Sequence, residues 1–121
     1  MPGPERIARV GLGSNEDAAR NLARARGALA AELTVVGLTE ERESPASDGG
    51  PSTYRNQIVD VRTGLSRAEL VATLKRLEAA LGRVRVPGAL VAIDLDLLAL
   101  EGEFEAAELR GAAHWRALGP R

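Results

Sequence analysis

Two aspartates near the end of the sequence are spaced to do chemistry together. Asp94 and Asp96 interrupt an aliphatic run over residues 90–100. In a β-strand, residues two apart point to the same face, roughly 7 Å apart at Cα, so both carboxylates would project together. Close carboxylates repel each other unless a cation lies between them, and oxygen ligands suit Mg²⁺. The pair predicts a magnesium site; the alternative is a solvent-facing pair, or one neutralised by nearby arginines.

A second pair is suited to a flat organic ring. Tyr54 and Asn56 lie two apart at the start of a strand predicted over Tyr54–Thr63. On a shared face, one side chain can stack on a heterocycle while the other donates to and accepts from its edge. The alternative is that Tyr54 is a boundary aromatic residue and Asn56 a turn former at the end of the strand.

A glycine-rich segment follows the first predicted strand. Its residues, Gly11-Leu12-Gly13-Ser14-Asn15, have the strand-to-helix setting of a dinucleotide-binding fingerprint. The third glycine of that fingerprint is missing, and a chain with two predicted helices is too short for a doubly wound sheet. The glycines are therefore interpreted as a tight turn from strand to helix.

The remaining pattern predicts the elements that would position these side chains. Strands are predicted over residues 6–12, 34–42, 54–63 and 90–100, with a polar loop over 44–53. Two helices are predicted from apolar residues at helical spacing. Those residues are Leu22, Ala25, Leu29 and Leu33 in the first helix, and Leu70, Leu74, Leu77 and Leu81 in the second. The order β-α-β-β-α-β predicts an α+β, ferredoxin-like fold with an antiparallel sheet and both helices on one face.

Local signals predict where these helices begin and end. Ser14 with Asp17, and Ser66 with Glu69, have the spacing of capping boxes, and Gly82 is placed to end the second helix in the left-handed conformation. A further short helix is predicted over residues 105–110.

Composition limits the possible functions. The 121 residues predict a single domain over 1–121, with 45% hydrophobic and 27% charged residues as in soluble globular proteins. Three aromatic residues and a net charge of −1 argue against nucleic-acid binding. The lack of cysteine excludes disulfides and thiolate zinc sites. No apolar run is long enough for a membrane span, so a cytoplasmic location is expected.

Four motifs, taken in order, resemble the 6-hydroxymethyl-7,8-dihydropterin pyrophosphokinases over most of the chain. They are Gly11–Asn15, Tyr54-Arg55-Asn56, Glu78 followed by Gly82-Arg83-Val84-Arg85, and Ile93–Leu98. The resemblance implies transfer of diphosphate from ATP to the hydroxyl group of the pterin, with AMP released, in folate biosynthesis. It also implies Mg²⁺ as cofactor and small-molecule partners, with no nucleic acid or membrane.

The resemblance further implies roles for single residues. Asp94 and Asp96 would bind two Mg²⁺ ions on the triphosphate and, with Arg83, serve catalysis. The nucleotide and its phosphates would be held by Glu78, Arg85, His114 and Arg116. The pterin would be bound by Ser44, Pro45, Ala46, Tyr54, Asn56 and Trp115. Considered without the resemblance, Glu78 is a solvated carboxylate on a helix flank and His114 an incidental histidine.

The chain departs from the family pattern after Arg85. Where the family has Arg-Trp-Gly-Pro-Arg in a mobile loop, this chain has Val-Pro-Gly-Ala-Leu-Val over residues 86–91. Loss of one charged donor at a phosphoryl group raises the barrier by about 2–4 kcal/mol. An alternative is therefore a pterin- or nucleotide-binding homologue with weak, altered or lost transferase activity. A third interpretation is an RNA-binding or interaction module of the same topology, but the chain lacks the sheet aromatics and basic face that RNA-binding modules use.

Overall fold

The computed structural model describes residues 3–45, 53–84 and 90–106. Within these ranges the elements follow in the order β1 Arg6–Ser14, α1 Ala18–Glu32, β2 Thr34–Leu38, β3 Arg42–Pro45, β4 Thr53–Thr63, α2 Arg67–Ala80, β5 Asp94–Leu100 and β6 Phe104–Glu105. The strands form one sheet in the order β2-β4-β1-β5-β6, and β3 pairs with β4 beside β2. All recorded strand pairs are antiparallel.

Strand β1 is central, and its register fixes the neighbours of the two glycines. Gly13 is paired with Asn56 on β4 and with Asp94 on β5. Gly11 is paired in the same way with Ile58 and Asp96. Side chains of residues in lateral register share a face of the sheet, so the asparagine and the two aspartates lie on either side of the glycines.

Both helices pack on one face of the sheet. The core combines alternate residues of β1, β4 and β5 with the apolar faces of α1 and α2. Its members are Ala8, Val10, Leu12, Leu22, Ala25, Leu29, Val59, Val61, Leu70, Leu74, Leu77, Ile93, Leu95 and Leu100. The predicted α+β class is confirmed, and the antiparallel sheet with two helices is consistent with a ferredoxin-like fold. None of the described helices is long and apolar enough to cross a membrane.

The predicted loop over residues 44–53 was too long at both ends. Ser44 and Pro45 belong to β3, and Thr53 begins β4, because these residues pair across a hairpin with Ser44 opposite Tyr54. The second predicted strand is broken instead at Thr39. Its backbone N–H donates to the carbonyl oxygen of Ile58 (2.9 Å), but its hydroxyl oxygen, and not a backbone carbonyl, accepts from the N–H of Ile58 (3.0 Å).

Two other boundaries differ from the sequence prediction. Strand β5 begins at Asp94 rather than at residue 90. Glu105, predicted to begin a helix, lies in β6, where it is paired with Ala99. Strand pairing therefore overrides the local helical preference at this residue. Residues 107–110, the rest of that predicted helix, lie outside the described residues.

The capping prediction is confirmed for α2 and wrong for α1. Ser66 Oγ accepts from the backbone N–H of Glu69 (3.1 Å), and Glu69 Oε1 accepts from the N–H of Ser66 (2.9 Å). Gly82 has the left-handed φ of 100° that ends the helix. Helix α1 begins later than predicted, after Asp17, and has no side-chain cap. Ser14 is instead the buried last residue of β1.

Candidate active site

One cavity, of about 200 Å³, lies on the sheet face opposite the helices. It is lined by Tyr54 and Asn56 together with Asp94 and Asp96, which are named the acid pair here. Alternation along β4 and β5 turns these four side chains away from the core, because Val59, Val61 and Leu95 of the same strands point into it. The predicted orientation of both pairs is therefore what the structure has.

Two glycines form the floor of this cavity, named the sheet cavity here. A Cβ atom on Gly13 would lie 3.2 Å from Oδ1 of Asn56, and one on Gly11 would lie 2.9 Å from Cδ1 of Leu98. Larger residues would push these side chains into the cavity or away from it. The glycine-rich segment therefore makes space beside the central strand, which is a role distinct from the tight turn predicted for it.

The two aspartates differ in their surroundings. Asp94 is half-buried and Asp96 is exposed. Burial raises the pKa of the Asp94 carboxyl, and the hydrogen bond and charge of Asp96 raise it further, whereas a hydrogen bond between the Asp94 and Glu78 side chains and the charge of Arg83 act in the opposite direction. An ionised pair in this position is stabilised by a bound cation.

The donor set of the pair suits Mg²⁺. Both ligands are carboxylate oxygens that face a cavity, and Mg²⁺ is commonly held by one or two carboxylates, waters and substrate phosphates. The described part of the chain has no cluster of three or more acidic, histidine or cysteine side chains that could enclose an ion alone. A site with two carboxylates is suited to an ion that arrives with a phosphate ligand.

The amide of Asn56 is held in one orientation. Its Nδ2 donates to Ser44 Oγ on the neighbouring strand β3 (2.7 Å), and Oδ1 faces Gly13. The hairpin pairing of β3 with β4 thus brings Ser44 to the same side as Tyr54 and Asn56. Pro45 ends β3.

A second cavity, of about 490 Å³, lies between α2 and β5 and is named the helix cavity here. Its walls include Val71, Leu97 and Phe104, with Lys75 beside them, and Asp96 lines both cavities. The guanidinium of Arg67 lies 3.8 Å from the centre of the Phe104 ring, where a cation–π contact forms part of the lining. The sequence pattern did not predict this cavity; the exposed apolar side chain of Val71 on α2 was the available signal.

Glu78 and Arg83 lie behind the acid pair. Glu78 is 1% exposed and lines neither cavity. Its Oε2 accepts a hydrogen bond from the backbone N–H of Leu95 (2.6 Å), and Nζ of Lys75 lies 3.6 Å away. The N–H of Arg83 donates to the carbonyl oxygen of Glu78 (3.0 Å). Within the described residues, Nε of Arg83 is the buried side-chain atom without a hydrogen-bond partner.

Comparison with known protein families identifies the family of this chain. The family model of 7,8-dihydro-6-hydroxymethylpterin-pyrophosphokinase (HPPK) matches residues 9–115. The chain belongs to the HPPK family. The match includes every residue that lines the two cavities and confirms the resemblance carried by the four motifs. A search among curated proteins finds no match.

In this HPPK chain, Ser14 and Asn15, which follow Gly13, bind the segment that leads into β5. Asn15 exchanges two hydrogen bonds with Val91: its N–H donates to the carbonyl of Val91 (3.0 Å), and its Oδ1 accepts from the N–H of Val91 (2.6 Å). Ser14 Oγ donates to the same carbonyl (3.2 Å). These contacts place the segment before Asp94 against the end of β1. Spacing alone could not have shown them, because the partners are 76 residues apart.

A polar network on the helix side supports the strands that carry Ser44 and Asn56. Glu41, just before β3, accepts from Arg26 of α1 (2.9 Å) and from Arg55 of β4 (3.1 Å). Arg26 also donates to Oε1 of the buried Gln57 (2.8 Å). Burial alone would raise the pKa of the Glu41 carboxyl, but the hydrogen bonds from the two arginines outweigh it and lower the pKa.

We expect Glu41→Gln to make the stability of the HPPK chain less sensitive to acid. Because the pKa of Glu41 in the folded chain lies below its ordinary value of 4.5, its contribution is present above that pH and is lost as the pH falls through the folded value. Urea unfolding should show the variant less stable by about 1 kcal/mol at neutral pH. The difference in the free energy of unfolding between wild type and variant should narrow as the pH is lowered toward about 3.

Glu40→Gln removes the neighbouring exposed carboxylate and controls for the loss of one negative charge. A gap between wild type and Glu41→Gln that stays constant over the whole pH range would contradict the proposed role of this network.

The other residues implied by the resemblance lie outside the described residues. They are Ala46, Arg85, His114, Trp115 and Arg116.

Proposed function

We propose that this HPPK chain transfers a diphosphate from Mg-ATP to the hydroxyl group of 6-hydroxymethyl-7,8-dihydropterin and releases AMP, a step of folate biosynthesis. One observation carries the proposal: Asp96 lines both cavities, and Asp94 lines the sheet cavity together with Tyr54 and Asn56. Two substrates bound in the two cavities would therefore meet at the acid pair.

The sheet cavity suits the pterin. Its volume of about 200 Å³ is that of a small bicyclic ring, and the Tyr54 ring offers an apolar face to stack against. Asn56 offers an amide, already oriented by Ser44, to the donor and acceptor groups at the ring edge. We propose that Pro45, Ala46 and Trp115 complete the pterin site.

The helix cavity suits the nucleoside part of ATP. Val71, Leu97 and Phe104 provide apolar walls for a base, and Lys75 provides a positive charge near the acid pair. From this cavity the triphosphate would extend past Asp96 toward the pterin hydroxyl group.

The acid pair and nearby cations would organise the phosphates. Asp94 and Asp96 would hold Mg²⁺, two ions in the arrangement we propose, which when bound neutralises charge on the triphosphate. The hydroxyl oxygen of the pterin forms a bond to the β-phosphorus, the bond from that phosphorus to the α-β bridging oxygen breaks, and AMP leaves with the electron pair. The hydroxyl proton passes to water. We propose that Arg83, Arg85, His114 and Arg116 add positive charge around the phosphates.

A second candidate function is binding of pterin or nucleotide with weak, altered or lost transfer. Two observations favour it: the arginines of the family loop are replaced over residues 86–91, and no basic side chain among the described residues lines the sheet cavity. A cation that is missing at a developing phosphate charge lowers the rate by about a hundredfold or more.

The test is AMP release from ATP, Mg²⁺ and 6-hydroxymethyl-7,8-dihydropterin, with reactions lacking the pterin or Mg²⁺ as controls. We expect AMP and the pterin diphosphate in equal amounts, dependent on both. Tight binding of Mg-ATP without AMP release would favour the second candidate. Release of ADP instead of AMP would contradict diphosphate transfer.

A further inference from the structure

We propose that Glu78 is a positioning residue that sets the acid pair and Arg83 at a fixed spacing. The inference rests on the proposed function for its effect on nucleotide binding. Its structural basis is the buried hydrogen bond from the N–H of Leu95 to Glu78 Oε2 (2.6 Å). Leu95 lies between Asp94 and Asp96, so this bond holds, on the edge of β5 away from β1, the backbone from which both carboxylates project.

Among the described residues, the bond takes the place of a strand neighbour. On the side away from β1, these residues pair β5 with β6 at Ala99 and Leu100. Closer to Asp94, the described residues provide no strand along that edge. An unpaired backbone N–H at a buried position is unfavourable, and the Glu78 carboxylate satisfies the one of Leu95. Helix α2 is thereby attached to the β5 edge at the level of the acid pair.

Burial separates this role from direct contact with a ligand. The Glu78 side chain is 1% exposed, and it lines neither cavity, whereas its neighbour Lys75 does line the helix cavity. The carboxylate accepts from Leu95 and lies beside the ammonium of Lys75. The Glu78 side chain also forms a hydrogen bond with the side chain of Asp94. Glu78 therefore shapes the site both through the backbone of Leu95 and through Asp94.

The backbone of Glu78 binds the backbone of Arg83, whose side chain is positively charged. Its carbonyl oxygen accepts from the N–H of Arg83, after the chain reverses at Gly82. Glu78 thus binds β5 through its side chain and Arg83 through its main chain. The position of the Arg83 main chain relative to β5 therefore depends on Glu78.

Two substitutions of Glu78 distinguish the effect of side-chain length from the effect of side-chain charge. Glu78→Gln keeps an acceptor oxygen at the same reach and removes the charge, whereas Glu78→Asp keeps the charge and is shorter by one methylene. Leu77→Ala, at the adjacent buried position, controls for general loss of helix packing. The two readouts are amide hydrogen exchange at Leu95 and the affinity for a non-hydrolysable ATP analogue, measured with and without Mg²⁺.

We expect Glu78→Asp to speed exchange at Leu95 about tenfold relative to core amides such as Val10, and to weaken Mg²⁺-dependent nucleotide binding about tenfold. Glu78→Gln should change each value by less than about threefold. Leu77→Ala should change exchange at Leu95 and Val10 equally. The reverse order, with Gln severe and Asp mild, would overturn the proposal, as would slow exchange at Leu95 in Glu78→Asp.

Failure of the proposed function is distinguishable from failure of this inference. If the wild-type chain binds no Mg-nucleotide, the proposed function is wrong and so is the effect of Glu78 on nucleotide binding. Amide hydrogen exchange at Leu95 still decides whether Glu78 holds β5, because that measurement needs no ligand.

Discussion

Asp94→Ala and Asp96→Ala should each lower AMP formation by about a thousandfold or more, while the chain stays folded. In the proposed reaction these carboxylates hold the ions that neutralise the triphosphate, and losing one preorganised group at a developing charge typically costs a factor of a hundred to about a thousand. Loss of a ligand from a two-carboxylate site also weakens the ion itself. Fold stability should hold, because each substitution removes one of two mutually repelling groups on an accessible face.

The matched control is Glu103→Gln, which removes an acidic side chain from a surface ion pair with Arg6, outside both the sheet and helix cavities. It should keep the wild-type rate of AMP formation. Single-turnover rates and circular dichroism of all three variants provide the measurement. Wild-type rates in both aspartate variants would show that any AMP formed does not depend on the acid pair, and the proposed mechanism would be wrong.

Asn56→Ala should weaken pterin binding by roughly 30- to 100-fold and leave Mg-nucleotide affinity unchanged. The amide can both donate to and accept from the ring edge, and losing two such hydrogen bonds costs about 2–3 kcal/mol. The effect should be confined to the pterin because Asn56 lines the sheet cavity and not the helix cavity. Calorimetric titration with each ligand separately measures both affinities.

Ser44→Ala should produce a smaller loss, about three- to tenfold, because it releases the Asn56 amide without removing it. Arg62→Ala, an exposed residue near the other end of β4, should leave pterin affinity unchanged. Equal losses of pterin and nucleotide affinity in Asn56→Ala would contradict the assignment of one substrate to each cavity.

The parts of the site that were predictable from sequence are those determined by alternation within one strand. Asp94 with Asp96, and Tyr54 with Asn56, share a face because residues two apart in a strand always do. Burial of the opposite residues in the core then determines which face they take. The apolar positions of both helices were predictable for a similar reason, since a repeat of 3.6 residues places them on one side.

The parts that were missed depend on contacts between distant segments. Strand β3 exists because Ser44 is paired with Tyr54, although its sequence is typical of a loop. The helix cavity and the bond from Leu95 to Glu78 depend on how α2 packs against β5. The predicted cap at Ser14 failed because β1 extends to Ser14 and α1 begins only after Asp17, and Ser14 Oγ bonds to the carbonyl of Val91. None of these pairings leaves a periodic signal in the local sequence.

The central position of β1 determines when the protein can fold during synthesis. Its partners are β4, in a register from Arg6–Thr63 to Ser14–Arg55, and β5, which ends at Leu100. Strand β1 must therefore wait until β5 has been synthesised before its second edge is covered. Such long-range pairing slows folding and leaves apolar strand edges open to other chains meanwhile. Nascent chains stalled before Leu100 should consequently depend on chaperones far more than the finished protein does.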